Sequence, residues 1–168
     1  MRIAWFRRDL RLTDNPIVDA GGDRVVPLFV VDPRLFRPGR PRTEELLRRL
    51  AGLDAALADR GGRLRVESGP PEDVVPSVAR EVGADVVSVN LDVSPYARER
   101  DAAVGDRVAL DAHWGSLVRS PTAVRTAEGT SYRVFTPFHR AWSAVEMAPP
   151  REPDFEPTAD PGDGVPDA

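Results

Sequence analysis

Apolar residues along the chain follow two rhythms. Ile3-Ala4-Trp5-Phe6, Val25-Val26-Pro27-Leu28-Phe29-Val30-Val31 and Asp85-Val86-Val87-Ser88-Val89-Asn90 are short, nearly continuous apolar runs. Such runs are typical of strands covered on both faces of a parallel sheet. Leu64-Arg65-Val66-Glu67 and Val108-Ala109-Leu110-Asp111 are shorter candidates of the same kind. Between them the spacing turns helical. Leu46, Leu50, Leu53 and Leu57 form one stripe, and Val74, Val75, Val78 and Val82 another. A weaker stripe runs from Tyr96 to about Val104.

Start and stop signals frame these helices. Asn15 with Pro16 opens a short helix that runs through Ala20 and stops at Gly21-Gly22. Thr43 is placed to cap the second helix, with Glu44 and Glu45 complementing its dipole, and Gly61-Gly62 to end it. Pro70-Pro71-Glu72-Asp73 opens a third, in which Pro76 is tolerated if it lies in the first turn. Asp32 to Arg42 reads as a loop. Alternating strands and helices predict a doubly wound, Rossmann-like α/β fold: a parallel five-stranded sheet with helices on both faces. Ligands of such sheets lie beyond the carboxyl ends of the strands, here the loops after Phe6, Val31, Glu67 and Asn90.

From Trp114 to Trp142 the period is less clear. Residues 143–168 hold seven acids against Arg151, are rich in Pro and show no periodicity. They are expected to form a disordered tail or a truncated interdomain linker behind an α/β domain of residues 1–142. With the tail removed, the net charge changes from −4 to +2, or 22 basic minus 20 acidic residues.

Composition excludes several chemistries. There is no Cys, hence no disulfide or thiolate. All 23 basic residues are Arg, which removes P-loop and Schiff-base lysines. No G-x-G-x-x-G follows the first strand, no G-x-S-x-G is present, and His113 and His139 belong to no ligand-spaced cluster. No metal site and no catalytic residue is assigned. No apolar run approaches the ~20 residues of a membrane span, and Arg7-Arg8 ends the first apolar run too soon for a signal peptide. A cytoplasmic location is the default expectation.

Two segments carry more information: Trp5-Phe6-Arg7-Arg8-Asp9-Leu10-Arg11-Leu12-Thr13-Asp14-Asn15-Pro16 and Tyr132-Arg133-Val134-Phe135-Thr136-Pro137-Phe138-His139-Arg140-Ala141-Trp142. Between them stand Val30-Val31-Asp32-Pro33 and Asp92-Val93-Ser94-Pro95-Tyr96-Ala97-Arg98-Glu99-Arg100-Asp101. Together, and in this order, the four strings resemble the N-terminal α/β domain of the DNA photolyase/cryptochrome family.

The resemblance implies a domain that helps to hold an antenna chromophore. It also implies that FAD, the electron-transferring tryptophans and the lesion groove belong to a C-terminal helical domain outside this chain. Light-dependent repair of pyrimidine dimers, the deoxyribodipyrimidine photo-lyase activity, is therefore not expected of this chain alone. The implied chromophore contacts are Arg8 and Asp9 after the first strand and Asp92, Ser94 and Tyr96 after the fourth. For each, a contact that merely ties the two loops together is the competing reading. Folate-binding members have an acidic residue where this chain has Ala97. Deazaflavin-binding members read D-x-E-P-Y-G, of which Asp92 and Tyr96 remain while Ser94 and Ala97 depart, so the resemblance implies a deazaflavin-like ligand rather than a folate, or no chromophore at all. Phe135, Phe138 and Trp142 are the expected contacts to a helical FAD-binding domain in trans. Direct DNA binding and membrane association are not expected. The alternatives are a stand-alone nucleotide- or small-molecule-binding module on the same sheet, and an interaction subunit for a separate helical flavoprotein.

Overall fold

The computed structural model describes residues 1–19, 23–35, 41–147 and 149–166. They form two compact units: Met1–Ser116 together with Arg151–Ala168, and Leu117–Pro150. The larger unit is built on parallel strands β1 (Arg2–Phe6), β2 (Arg24–Val31), β3 (Arg65–Ser68), β4 (Val86–Asn90) and β5 (Leu110–His113), ordered β3-β2-β1-β4-β5. The doubly wound α/β expectation is met. Helices α1 (Pro41–Ala58), α2 (Pro71–Val82) and α3 (Pro95–Gly105) form three of the crossovers, and a 3-10 turn at Pro16–Val18 lies between β1 and β2. Ala20 and Gly21-Gly22, expected to close that first helix, lie outside the described residues.

The central strand shows why the apolar runs are continuous. Ala4 and Phe6 point into a cluster with Ile17, Val18, Leu47, Leu50, Leu53 and Leu57, while Ile3 and Trp5 point into one with Val75, Val78, Ala79, Val87, Val89 and Val104. Successive side chains alternate faces, and each face has a helical cover.

Local corrections follow from backbone chemistry. α1 begins at Pro41, so Thr43 lies within its first turn rather than ahead of it. Pro76 falls beyond the first turn of α2 and removes the donor that the Glu72 carbonyl would receive. Arg107 Nη1 supplies that carbonyl at 2.5 Å. β5 begins at Leu110, two residues into the Val108-Ala109-Leu110-Asp111 run that announces it.

The largest difference concerns the Pro- and acid-rich end of the chain. Glu156–Pro157 form β6, a short parallel strand pairing with Arg24-Val25 at the start of β2. Phe155, 5% exposed, inserts into the α1 cluster, and Arg60 lies 5.3 Å from its ring centroid. Further on, Val66 donates to the Pro161 carbonyl (3.0 Å) and Asp163 to that of Val66 (2.8 Å). Gly162 makes this approach with φ +56°, and a Cβ there would stand 2.8 Å from the Val66 carbonyl oxygen. Arg65, buried on β3, binds Asp160 as well as Glu67 and Glu81. Residues 151–166 thus act as a strap on the β2/β3 side of the sheet, which would otherwise present unpaired backbone groups.

The second unit contains α4 (Phe135–Ser143), which has no buried residue, and a turn at residues 126–130.

Candidate functional site

β1 and β4 pair directly, Trp5 opposite Val89, so the segments after Phe6 and after Asn90 leave the same end of the sheet side by side. The segment after Val31 leaves β2 beside them.

Beneath the surface at this end lies a polar knot. Asp9, Asn15 and Asn90 are all buried. Asn90 Nδ2 donates to the Asp9 carboxylate and, at 2.8 Å, to Asn15 Oδ1. Asn15 Nδ2 donates to the Arg11 carbonyl at 2.8 Å, and the Arg7 backbone N–H to Asp9 Oδ1 at 3.2 Å. The Gly115 N–H completes the knot on Asn90 Oδ1 at 3.0 Å; a Cβ at Gly115 would stand 2.3 Å from that oxygen. Asn15 is therefore not a side-chain cap for the Pro16–Val18 turn. Its amide holds the loop after β1 against β4. Asp9 serves the same knot.

Around Trp5 and Tyr96, guanidinium groups and aromatic rings alternate. Arg7 and Arg100 lie 5.0 and 5.1 Å from the Trp5 ring centroid; Arg100 and Arg34 lie 5.6 and 5.4 Å from that of Tyr96. Each guanidinium is fixed by carboxylates. Asp101 accepts from Arg7 (2.5 Å) and Arg100 (2.9 Å), and Arg7 also donates to the Asn90 carbonyl. Arg34 bridges Asp32 and Glu72, both at 2.9 Å. The Tyr96 hydroxyl donates to Asp32. Burial and that bond push the hydroxyl up to about 12. Burial alone would raise Asp32, but the bonds from Arg34 and Tyr96 outweigh it and hold the carboxyl below its ordinary range. Burial wins at Asp101, which is raised despite Arg7.

At the rim, Arg8 is 81% exposed and donates to Asp92 at 3.0 Å. Asp92 also accepts the Ser94 N–H; that bond first, and Arg8 after it, lower its pKa. Ser94 caps α3, its hydroxyl accepting from the Ala97 N–H at 3.3 Å. The five residues singled out in the sequence therefore divide. Arg8 and Asp92 meet at the rim in the loop-tying pair of the competing reading, Tyr96 joins Asp32 and Arg34, and Asp9 and Ser94 are engaged in holding their loops. Arg7, Asp32, Arg34, Asn90, Arg100 and Asp101 were not singled out, although all but Arg34 and Asn90 lie inside the four strings. Asp32 directly follows a buried strand, which is the signal that marks it.

In the second unit, Phe135 is 72% exposed and Val134 and Phe138 are exposed, while Trp142 is half-buried with Arg119 4.8 Å from its ring centroid. A cavity of about 500 Å³ is lined by Thr126, Thr130, Ser131, Tyr132, Arg133, Val134 and Pro137. Among the described residues no cluster of metal-ligating side chains occurs, and no helix is long and apolar enough to cross a membrane.

The geometry gathers three of the four strings at one end of the sheet, and the family model for DNA photolyase matches residues 2–156. The chain belongs to the DNA photolyase family. It is 39% identical over 170 residues to an uncharacterized 31.6 kDa protein of Synechococcus sp., covering 94% of this chain and 60% of that protein. A class III photolyase of Agrobacterium tumefaciens shares the fold with a TM-score of 0.79 at 32% identity, over 95% of this chain and 35% of that one. An archaeal photolyase of Sulfolobus tokodaii, solved with two FAD molecules and implicating a novel light-harvesting cofactor, matches with a TM-score of 0.76 at 30% identity, over 94% and 38%. The chain thus spans only 35% to 60% of the length of these relatives, and its fold matches the N-terminal α/β region of photolyases.

Proposed function

We propose that this chain is a light-harvesting module of the photolyase type, holding a planar antenna chromophore over the carboxyl ends of β1, β2 and β4. The reading is carried by one juxtaposition: Arg8–Asp92 at the rim beside the Tyr96–Asp32–Arg34 group, from loops that the parallel sheet delivers to one place. This donor set suits a ring with polar edges. Arg8 offers N–H donors to a ring oxygen or carboxylate, Asp92 accepts from a ring N–H or hydroxyl, and Tyr96 supplies an aromatic surface. Asp9 and Ser94 position the two loops.

A deazaflavin suits the site better than a folate. Ala97, where folate-binding members place an acid, is 2% exposed and has no acceptor to offer. When bound, such a chromophore supplies absorption of near-UV or blue light and passes the excitation on. Repair of pyrimidine dimers would then require a helical flavin-bearing partner, for which Phe135, Phe138 and Trp142 are the proposed contacts. The light-harvesting reading is tested by equilibrium dialysis of the purified chain against a deazaflavin, a folate, FAD and ATP. Selective retention of the deazaflavin supports it. Retention of ATP alone would replace it with a nucleotide-binding module.

A further inference from the structure

Burying two guanidinium groups with a single carboxylate is no stability device in itself, because desolvation offsets much of the attraction. Here the triad is laid against one indole. Trp5 is 1% exposed, and the side chains of Arg7, Arg100 and Asp101 are themselves nearly buried. We propose that Arg7 and Arg100 hold Trp5, which shares the Arg100 guanidinium with Tyr96 of the proposed site, as a poor electron donor, so that an excited ligand at that site transfers its energy instead of being quenched. The purpose rests on the light-harvesting reading; the charge effect does not.

The step being suppressed is simple. One electron would pass from the indole to an excited, electron-accepting chromophore, leaving an indole radical cation and a chromophore radical anion. The new positive charge would form 5.0 and 5.1 Å from two fixed cations. Asp101 neutralises one of them, and a net positive charge remains. With water excluded, that repulsion is weakly screened and raises the cost of oxidation. The bonds of Arg7 to Asp101 and the Asn90 carbonyl, and of Arg100 to Asp101, prevent either group from swinging away.

The test uses the full chain with Trp114→Phe and Trp142→Phe, which leaves Trp5 as the sole tryptophan of the original three. Lumiflavin excited by a laser pulse serves as oxidant, and the indole radical is followed by its absorbance. Arg100→Gln is expected to speed oxidation about tenfold, Arg100→Lys to restore the slow rate, and Asp101→Asn, which leaves both cations, to slow it further. Loosened packing would speed oxidation in both neutralising variants. An unchanged rate in Arg100→Gln, or a faster one in Asp101→Asn, overturns the proposal. Should Arg100→Gln fail to fold, Asp101→Asn compared with the parent decides alone. A chain that shows the expected order yet retains no chromophore removes the light-harvesting reading and leaves the charge effect. A chain that retains one without that order does the opposite.

Discussion

Phe155→Ala tests whether the strap of residues 151–166 is part of the folded unit. The ring is nearly buried among α1 and sheet residues and is covered by Arg60, so truncation removes core contacts that no neighbour replaces. Phe→Ala substitutions in cores cost about 3–5 kcal/mol. The strap lies at the margin of the core, where relaxation is easier, so about 3 kcal/mol is expected. That is a large share of the roughly 5–15 kcal/mol typical of a domain. In urea, with a slope of about 2 kcal/mol/M, the midpoint should fall by about 1.5 M with the slope unchanged. Equilibrium unfolding followed by far-UV circular dichroism reads this directly. A shift below about 0.3 M would mean that the strap is not docked in solution, and the edge-covering role would go with it.

Other consequences are equally direct. Gly115→Ala places a methyl 2.3 Å from Asn90 Oδ1 and should cost about 2 kcal/mol or more by forcing the polar knot apart, seen as a lower melting temperature. Asn90→Leu leaves the buried Asp9 carboxylate without its Asn90 donor and should destabilise by about 3 kcal/mol. Asp54 is held below its ordinary range chiefly by its bond from Arg63. Its contribution is therefore present above the unfolded value, about 3.9, and lost as pH falls below that toward the folded value. Asp54→Asn should be less stable at pH 7 and lose less on acidification through that window, as measured by urea midpoints against pH.

Most of the fold is legible because it rests on local patterns. Ile3 to Phe6 and Val25 to Val31 can be little other than buried strands, and the leucines of α1 repeat at helical spacing. The strap was illegible because its anchoring uses one aromatic, Phe155, amid Pro and acids, with backbone hydrogen bonds to β2 and β3 that leave no periodic trace. The knot was illegible for a related reason. Asn15 reads as a helix cap from its neighbours alone, and only the pairing of β1 with β4 brings it to Asn90. At the site, Arg8, Asp9, Asp92, Ser94 and Tyr96 stand out in the sequence, whereas the alternation of Arg7, Trp5, Arg100, Tyr96 and Arg34 depends on β1, the segments after β1 and β2, and α3 meeting in space.

The central claim is best tested by titrating the purified chain and its Arg8→Ala variant with a deazaflavin, followed by the change in the chromophore's absorption. Arg8 is exposed, so the variant should melt within a degree or two of the parent; its affinity should fall about tenfold, equivalent to about 1.4 kcal/mol for one lost charge-assisted bond. No spectral change in the parent, or equal affinity in the two proteins, would contradict a chromophore seated between the loops that follow β1 and β4.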